Sequence, residues 1–235
     1  MLSEGQTKSL FRPAGYFAFV GAVGLIIYSI LVITVASPAL FGSLEERLAY
    51  MTTNGGLIVS LYILFIVLAL VEVSVVLGLV ALTIRHNFRC AIFAGTFELL
   101  NISVRIVSYM VLISVLSGVV KGFVSADGFT FWDNFGYMIE GGGFFLQTVA
   151  WGLFGWSLRK KRGLERVAGF LMLLYAIATF SGGMLRIFGL VSIDFPDVLN
   201  ALSIGLVGPT MGVLSIIIFI VLGIVFLRKV RQAAD

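Results

Sequence analysis

Six long apolar segments separated by short polar ones dominate the sequence and limit the folds open to it. The first of them, residues 14–36, contains no charged side chain over 23 residues. A helix of that length spans the roughly 30 Å hydrocarbon core of a bilayer. Of the 235 residues 60% are hydrophobic and 12% are charged, whereas soluble domains carry about 25% charged residues. We therefore expect an all-α polytopic membrane protein, built as a single integral membrane domain.

The distribution of cationic residues predicts the orientation of the spans. The six expected transmembrane helices cover residues 14–36, 55–84, 90–120, 135–158, 167–191 and 199–227. The N-terminus, the 85–89 turn, the 159–166 loop and the C-terminal tail hold twelve of the sixteen Lys and Arg residues. Because cytoplasmic segments are enriched in these cations, we expect both termini to be cytoplasmic.

Several local patterns predict the ends of these spans. Pro13 suits the first turn of the first helix, and Pro209 predicts a kink in the sixth. Residues 41–51 favour a short interfacial helix, because their apolar side chains can share one face. Residues 121–134 are expected to form a loop with its aromatic side chains at headgroup level.

A polar stripe crosses the third apolar segment. Its members are Glu98, Asn101, Arg105 and Ser108, spaced by three, four and three residues, so they share one face of a helix. An ionised side chain in the hydrocarbon costs about 2.5–3.5 kcal/mol on insertion scales. We therefore expect this face to meet protein or water and not lipid.

Depth predicts the partner of Arg105. At about 1.5 Å per residue from the turn at 85–89, Glu72 lies roughly 20 Å into the second span and Arg105 roughly 24 Å into the third. A tight turn makes these spans antiparallel neighbours, so we expect Glu72 to pair with Arg105. Glu98, two turns away, is expected not to reach Arg105 directly, with Asn101 between them. The pair can be a packing and register device or part of a site for a substrate, ion or proton.

A second polar layer is expected in the outer half. Glu140 and Arg186 have similar depth there and could pair, and glycines are unusually dense around them. We predict an outward-opening cavity between spans four, five and six, or else small residues that let helix backbones touch. The residues that define this layer are Glu140, Gly141, Gly142, Gly143, Arg186 and Pro209.

Composition excludes several classes of function. One His and one Cys permit neither an intramolecular disulfide nor a multi-histidine metal site. No nucleophile is paired with a base in the sequence, so we expect no catalytic residues, metal or cofactor. The basic run 159–162 is expected to stop translocation of the chain across the membrane and to contact anionic lipids, not nucleic acid. Trp151 and Trp156 are expected at the interface, and His86 in a solvated turn.

One region resembles a known family. Residues 144–156 contain Phe145-Leu146-Gln147 and the run from Trp151 to Trp156, and after the basic turn Arg166-Val167-Ala168-Gly169-Phe170-Leu171 follows. This segment, together with Arg12-Pro13-Ala14-Gly15, is similar to a bacterial six-span membrane family of unknown function. The resemblance implies a six-helix protein of the bacterial cytoplasmic membrane and no particular activity.

The function expected from these features is binding or translocation of a small solute, ion or lipid-like ligand through the central Glu/Asn/Arg site. The alternative is a non-catalytic membrane subunit of a larger complex, in which the buried charges serve helix packing. The expected partners are membrane lipids and either further copies of the chain or partner membrane subunits.

Overall fold

The computed structural model describes residues 4–36, 44–191 and 207–232, and these are almost entirely helical. The helices are α1 (Glu4–Leu31, continued by a π-helical turn Val32–Ala36), α2 (Leu44–Thr83), α3 (Phe88–Val120), α4 (Ala126–Leu158), α5 (Leu164–Val191) and α6 (Gly208–Arg231). No strand occurs in these three ranges. The expectation of an all-α chain is confirmed for them.

Five of the helices are long and apolar enough to cross a membrane. They lie in α1, α2, α3, α5 and α6. The exception is α4, whose hydropathy is lowered by its many glycines and by Gln147, Trp151 and Trp156. The chain is thus a helical membrane protein by length and composition, while the sixth span and the orientation stay predictions.

The six helices form a closed ring in chain order. Each helix packs against the next one along the chain, and α6 closes the ring by packing against both α5 and α1. Phe11 of α1 stacks on Phe226 of α6, with ring centroids 5.8 Å apart. Side chains from all six helices fill one apolar core, represented by Ala18, Leu79, Ile102, Trp151, Met172 and Phe226.

The outer surface of the ring is apolar. Large side chains such as Ile33, Phe93 and Ile177 are 72%, 60% and 64% exposed. Buried polar residues lie on the inside, among them Glu98, Asn101 and Thr179, each fully buried. Since a bilayer favours apolar side chains on the outside of a bundle and polar ones within, this arrangement fits a lipid environment.

The connection between α3 and α4 is shorter than predicted, because α4 already begins at Ala126. The expected loop 121–134 is wrong beyond residue 125: α3 ends at Val120 with Lys121 as its C-cap, and Gly122 has φ +72°. The amide of Phe123 donates to the carbonyl of Gly118, as in a Schellman cap. The Oγ of Ser125 then accepts from the amide of Gly128 at 3.2 Å and starts α4.

The predicted break before the second span is found at Asn54. Two helical segments meet there within α2, and the backbone of Asn54 is not helical (φ −112°, ψ 20°). The side-chain Nδ2 of Asn54 donates to the carbonyl of Tyr50 at 3.2 Å. The Tyr50 hydroxyl donates to the carbonyl of Val35 at 2.5 Å and connects the first segment of α2 to the π-helical turn after α1.

Pro13 lies inside α1 and not in its first turn, so that prediction is wrong. Pro209 is the second residue of α6 as the structure describes it, where its missing N–H costs little. The predicted kink in the sixth span depends on residues 199–206, which lie outside the described residues, and it stays a prediction.

Candidate functional site

The centre of the site is an ion pair between α2 and α3. Arg105 Nη2 lies 2.5 Å from Glu72 Oε2, and the two side chains are 13% and 8% exposed. The tight turn at residues 84–87 makes the two helices antiparallel and places both residues at one level. The pairing predicted from depth is therefore confirmed.

A second carboxylate also reaches the same guanidinium. Arg105 Nη2 lies 3.6 Å from Glu98 Oε1, which corrects the expectation that two helical turns would keep them apart. Helical side chains lean toward the N-terminus, so a long arginine on α3 extends back along its own helix. Glu98 Oε1 also accepts from Asn101 Nδ2 at 3.1 Å. Ser108 continues the stripe outward and is 3% exposed.

Helices α4 and α5 complete the walls of the site with residues that the sequence reasoning either did not single out, as with Gln147 and Tyr175, or placed elsewhere, as with Gly143 in the outer layer and Trp151 at the interface. Gly143, Gln147 and Trp151 repeat every four residues along one face of α4. A Cβ on Gly143 would lie 3.1 Å from Asn101 Oδ1, so the glycine gives the amide room. Trp151 lies beside Glu98 and packs edge-on against Tyr175 of α5 at 5.4 Å.

The prediction that Trp151 lies at the membrane interface is wrong. It is 2% exposed and belongs to the core, whereas Trp156 is 49% exposed and suits the interface. Gln147 is 3% exposed and lies beside Tyr175. The four-residue spacing of Gly143, Gln147 and Trp151 was the signal in the sequence that could have placed these side chains on an inward face.

Among the residues that the structure describes, four buried polar atoms near this centre make no well-formed hydrogen bond. Two are acceptors, Glu98 Oε2 and Asn101 Oδ1, and two are donors, Arg105 Nε and Trp151 Nε1. Each such atom costs about 1–3 kcal/mol relative to a paired one. Two carboxyl groups also share one guanidinium, so with every group ionised the cluster of Glu72, Glu98 and Arg105 carries a formal charge of −1. A small polar or cationic ligand would supply the missing hydrogen bonds and compensate the negative charge.

An aromatic path connects this centre to the outer half. The Arg105 guanidinium lies over Phe65 at 5.8 Å, and Phe65 contacts Tyr109 at 4.4 Å between centroids. The Tyr109 hydroxyl donates to Glu140 Oε1 at 3.3 Å. Glu140 is therefore joined to the central site through Phe65 of α2 and Tyr109 of α3, a link that the sequence reasoning did not predict.

The glycines of the outer half lie mostly in helix contacts. A Cβ on Gly141 would lie 3.3 Å from Ile187, and one on Gly183 would lie 3.4 Å from the Gly141 carbonyl. Gly142 has nothing within 4 Å of its Cβ position. The Arg186 side chain and residues 192–206 lie outside the described part, so the predicted cavity and the Glu140–Arg186 pair stay predictions.

In the described ranges, no three His, Cys, Asp or Glu side chains are grouped so that they could hold a metal ion.

Comparison with family models, curated proteins and solved structures finds no match to this chain. The resemblance to a six-span family accordingly stays an expectation.

Proposed function

We propose that this chain binds or translocates a small solute, ion or lipid-like ligand at the site formed by Glu72, Glu98, Asn101 and Arg105. The observation that carries the proposal is the buried cluster in which two carboxyl groups face one guanidinium. Two donor and two acceptor atoms of this cluster and its neighbours also lack a well-formed hydrogen bond within the described ranges. A site used only for packing gains most when every buried polar group is paired. The unmet groups here instead offer hydrogen bonds to a guest.

The charge of the site indicates the chemistry of that guest. Because two carboxyl groups face one guanidinium, a guest with a positive charge or a transferable proton would neutralise the cluster. Trp151 Nε1 and Arg105 Nε would then donate to an acceptor on the same guest. A small solute with both cationic and acceptor groups fits this pattern best, and a hydrated cation fits it next.

Access from water is the decisive measurement. In a Cys90→Ser background, Ser108→Cys places a small thiol on the polar stripe, and Val107→Cys places one on the neighbouring exposed apolar face. The protein is reconstituted in liposomes and treated with a membrane-impermeant thiol reagent from either side. We expect labelling of Ser108→Cys and none of Val107→Cys.

Labelling of neither variant from either side would contradict a water-filled path and favour the alternative of a non-catalytic membrane subunit.

Two observations support the alternative of a non-catalytic membrane subunit. Glu98 and Asn101 are fully buried, and the Glu72–Arg105 pair joins α2 to α3 as a packing device would. If the chain is such a subunit, uncharged residues that pack well against one another can replace Glu72, Glu98 and Arg105 without loss of assembly with the partner.

The setting of this function is part of the proposal. We propose six transmembrane helices in a bacterial cytoplasmic membrane, with both termini in the cytoplasm and lipids as partners. The positive residues near Arg85, in the 159–166 loop and at the end of α6 support this orientation. Assembly with further copies or with other membrane subunits belongs to the same proposal.

A further inference from the structure

A half-enclosed polar cavity lies at the end of the bundle that carries most of the positive charge. It has a volume of about 310 Å³ and sits between the α2–α3 turn and the end of α4. Its lining residues are His86, Asn87, Trp156, Ser157, Lys160 and Lys161. The cavity is separate from the central site, because none of its residues belongs to that cluster.

The charges around this cavity are mostly positive and poorly compensated. Burial, and after it the positive charges of Lys161, Lys229 and Arg85, lower the pKa of His86, while Glu165 opposes them. Burial likewise lowers the pKa of Lys161, with Glu165 and Lys229 acting in opposite directions. Glu165 is itself paired with Lys229 at 2.8 Å. The cations of the cavity therefore repel one another, and an anion would relieve that repulsion.

The hydrogen-bonding groups of the cavity are mainly donors. The buried Oγ of Ser157 has no hydrogen-bond partner in the part of the chain that the structure describes, and the ammonium groups of Lys160 and Lys161 donate only. The Oδ1 of Asn87 accepts from the amide of Cys90 at 3.2 Å and is thus engaged as a helix cap. A guest rich in acceptor oxygens would match this set.

The neighbouring aromatic residue places the cavity at the edge of the apolar surface. Trp156 is half exposed, and the Arg159 guanidinium lies over its ring at 3.2 Å from the centroid. Tryptophans of this kind sit at headgroup level in membrane proteins. A headgroup phosphate would meet the cavity at that level, and so would a phosphate arriving from water.

We propose that this cavity binds a phosphate group, carried by an anionic lipid headgroup or by free phosphate. The phosphate oxygens accept from Ser157 and from the two lysines, and their charge compensates the cluster that includes His86. Charge-assisted hydrogen bonds are the strongest of those available here. Binding is independent of any ligand at the central site.

The only histidine of the chain is a reporter for this event. Histidine-labelled protein is placed in phosphatidylcholine nanodiscs, in phosphatidylglycerol nanodiscs, and in phosphatidylcholine nanodiscs with added inorganic phosphate, and the pKa of His86 is measured by NMR. We expect the pKa to rise when the site fills, because the bound anion stabilises the imidazolium. A rise with phosphatidylglycerol alone identifies a lipid headgroup, and a rise with inorganic phosphate identifies a free one.

Matched variants separate a built site from the general negative potential of the membrane. Ser157→Ala keeps every charge but removes one donor, and it should weaken phosphate binding about tenfold. Lys160→Gln with Lys161→Gln should abolish the site-specific rise, whereas Arg231→Gln, at the exposed end of α6, should keep it. The proposal is overturned if the pKa does not respond, or if its response is the same in the wild type, Ser157→Ala and the double lysine variant.

Discussion

Arg105 holds two carboxyl groups in the middle of the bundle, so its removal costs more than one lost contact. Its guanidinium lies 2.5 Å from Glu72 and 3.6 Å from Glu98. Without it, two acids remain in an interior where an unpaired charge is poorly solvated. Arg105 therefore compensates the buried negative charges that α2 and α3 place next to α4.

This balance predicts a non-additive pair of substitutions. Arg105→Leu should lower the free energy of unfolding by about 3–5 kcal/mol, because it strands buried acids. Adding Glu72→Leu should restore part of that loss, because one stranded acid disappears. The free energy is measured by denaturant unfolding in mixed micelles.

A matched control removes an exposed cation instead. Lys121→Leu lies in the turn after α3 and should change stability by less than about 1 kcal/mol. Equal losses in Arg105→Leu and in the double variant would show that Glu72 and Arg105 do not stabilise each other.

At the scale of the helix, α4 shows why a low hydropathy does not mean a peripheral position. Gly143 and Gly155 face other helices, and Gln147, Trp151 and Phe154 are 3%, 2% and 1% exposed. A helix surrounded by protein needs fewer apolar residues than one that faces lipid. The low hydropathy of α4 therefore reflects its contacts with other helices and does not show that the helix lies far from the core.

The contact between α4 and α5 predicts contrasting effects of two glycine substitutions. A Cβ on Gly169 would lie 2.5 Å from the backbone nitrogen of Arg159, whereas one on Gly142 meets nothing within 4 Å. Gly169→Ala should therefore destabilise by about 1–3 kcal/mol, because backbone atoms must move apart. Gly142→Ala should be neutral or stabilise by about 0.5–1 kcal/mol through helix propensity.

The fraction of protein that stays monodisperse after heating in detergent ranks the two variants against the wild type. If Gly169→Ala proved as stable as Gly142→Ala, the close approach of α4 and α5 would be contradicted.

Sequence reasoning worked where one physical quantity dominated and failed where packing decided. Helix rise and a short turn were enough to pair Glu72 with Arg105. The reach of Arg105 to Glu98 depends on side-chain direction, which residue spacing alone does not contain. The inward position of Trp151 depends on which face of α4 meets α3, and an amphipathic aromatic ring suits either the interface or the core. The start of α4 was missed because a serine cap outweighed the polar composition of residues 126–134.

At the scale of the whole molecule, the closed ring links each helix to two neighbours and makes the orientation of α4 decisive. The helix packs along both α3 and α5, and its short connections at residues 121–125 and 159–163 make it antiparallel to each. If α4 spans the membrane, these two connections lie on opposite sides. If it does not, they lie on the same side and the termini are separated by the membrane.

Paired cysteine labelling tests this whole-molecule consequence. Lys121→Cys and Lys160→Cys, each in the Cys90→Ser background, replace exposed side chains in the two connections. In intact bacterial cells an impermeant thiol reagent should label only Lys121→Cys, and permeabilised cells should label both. The reason is that residues 159–166, which form this connection and the start of α5, carry five cations, against one in the 121–125 turn, and cations favour the cytoplasm. Labelling of both variants in intact cells would leave α4 on one side of the membrane, and the ring would then have five spanning helices with its termini on opposite sides.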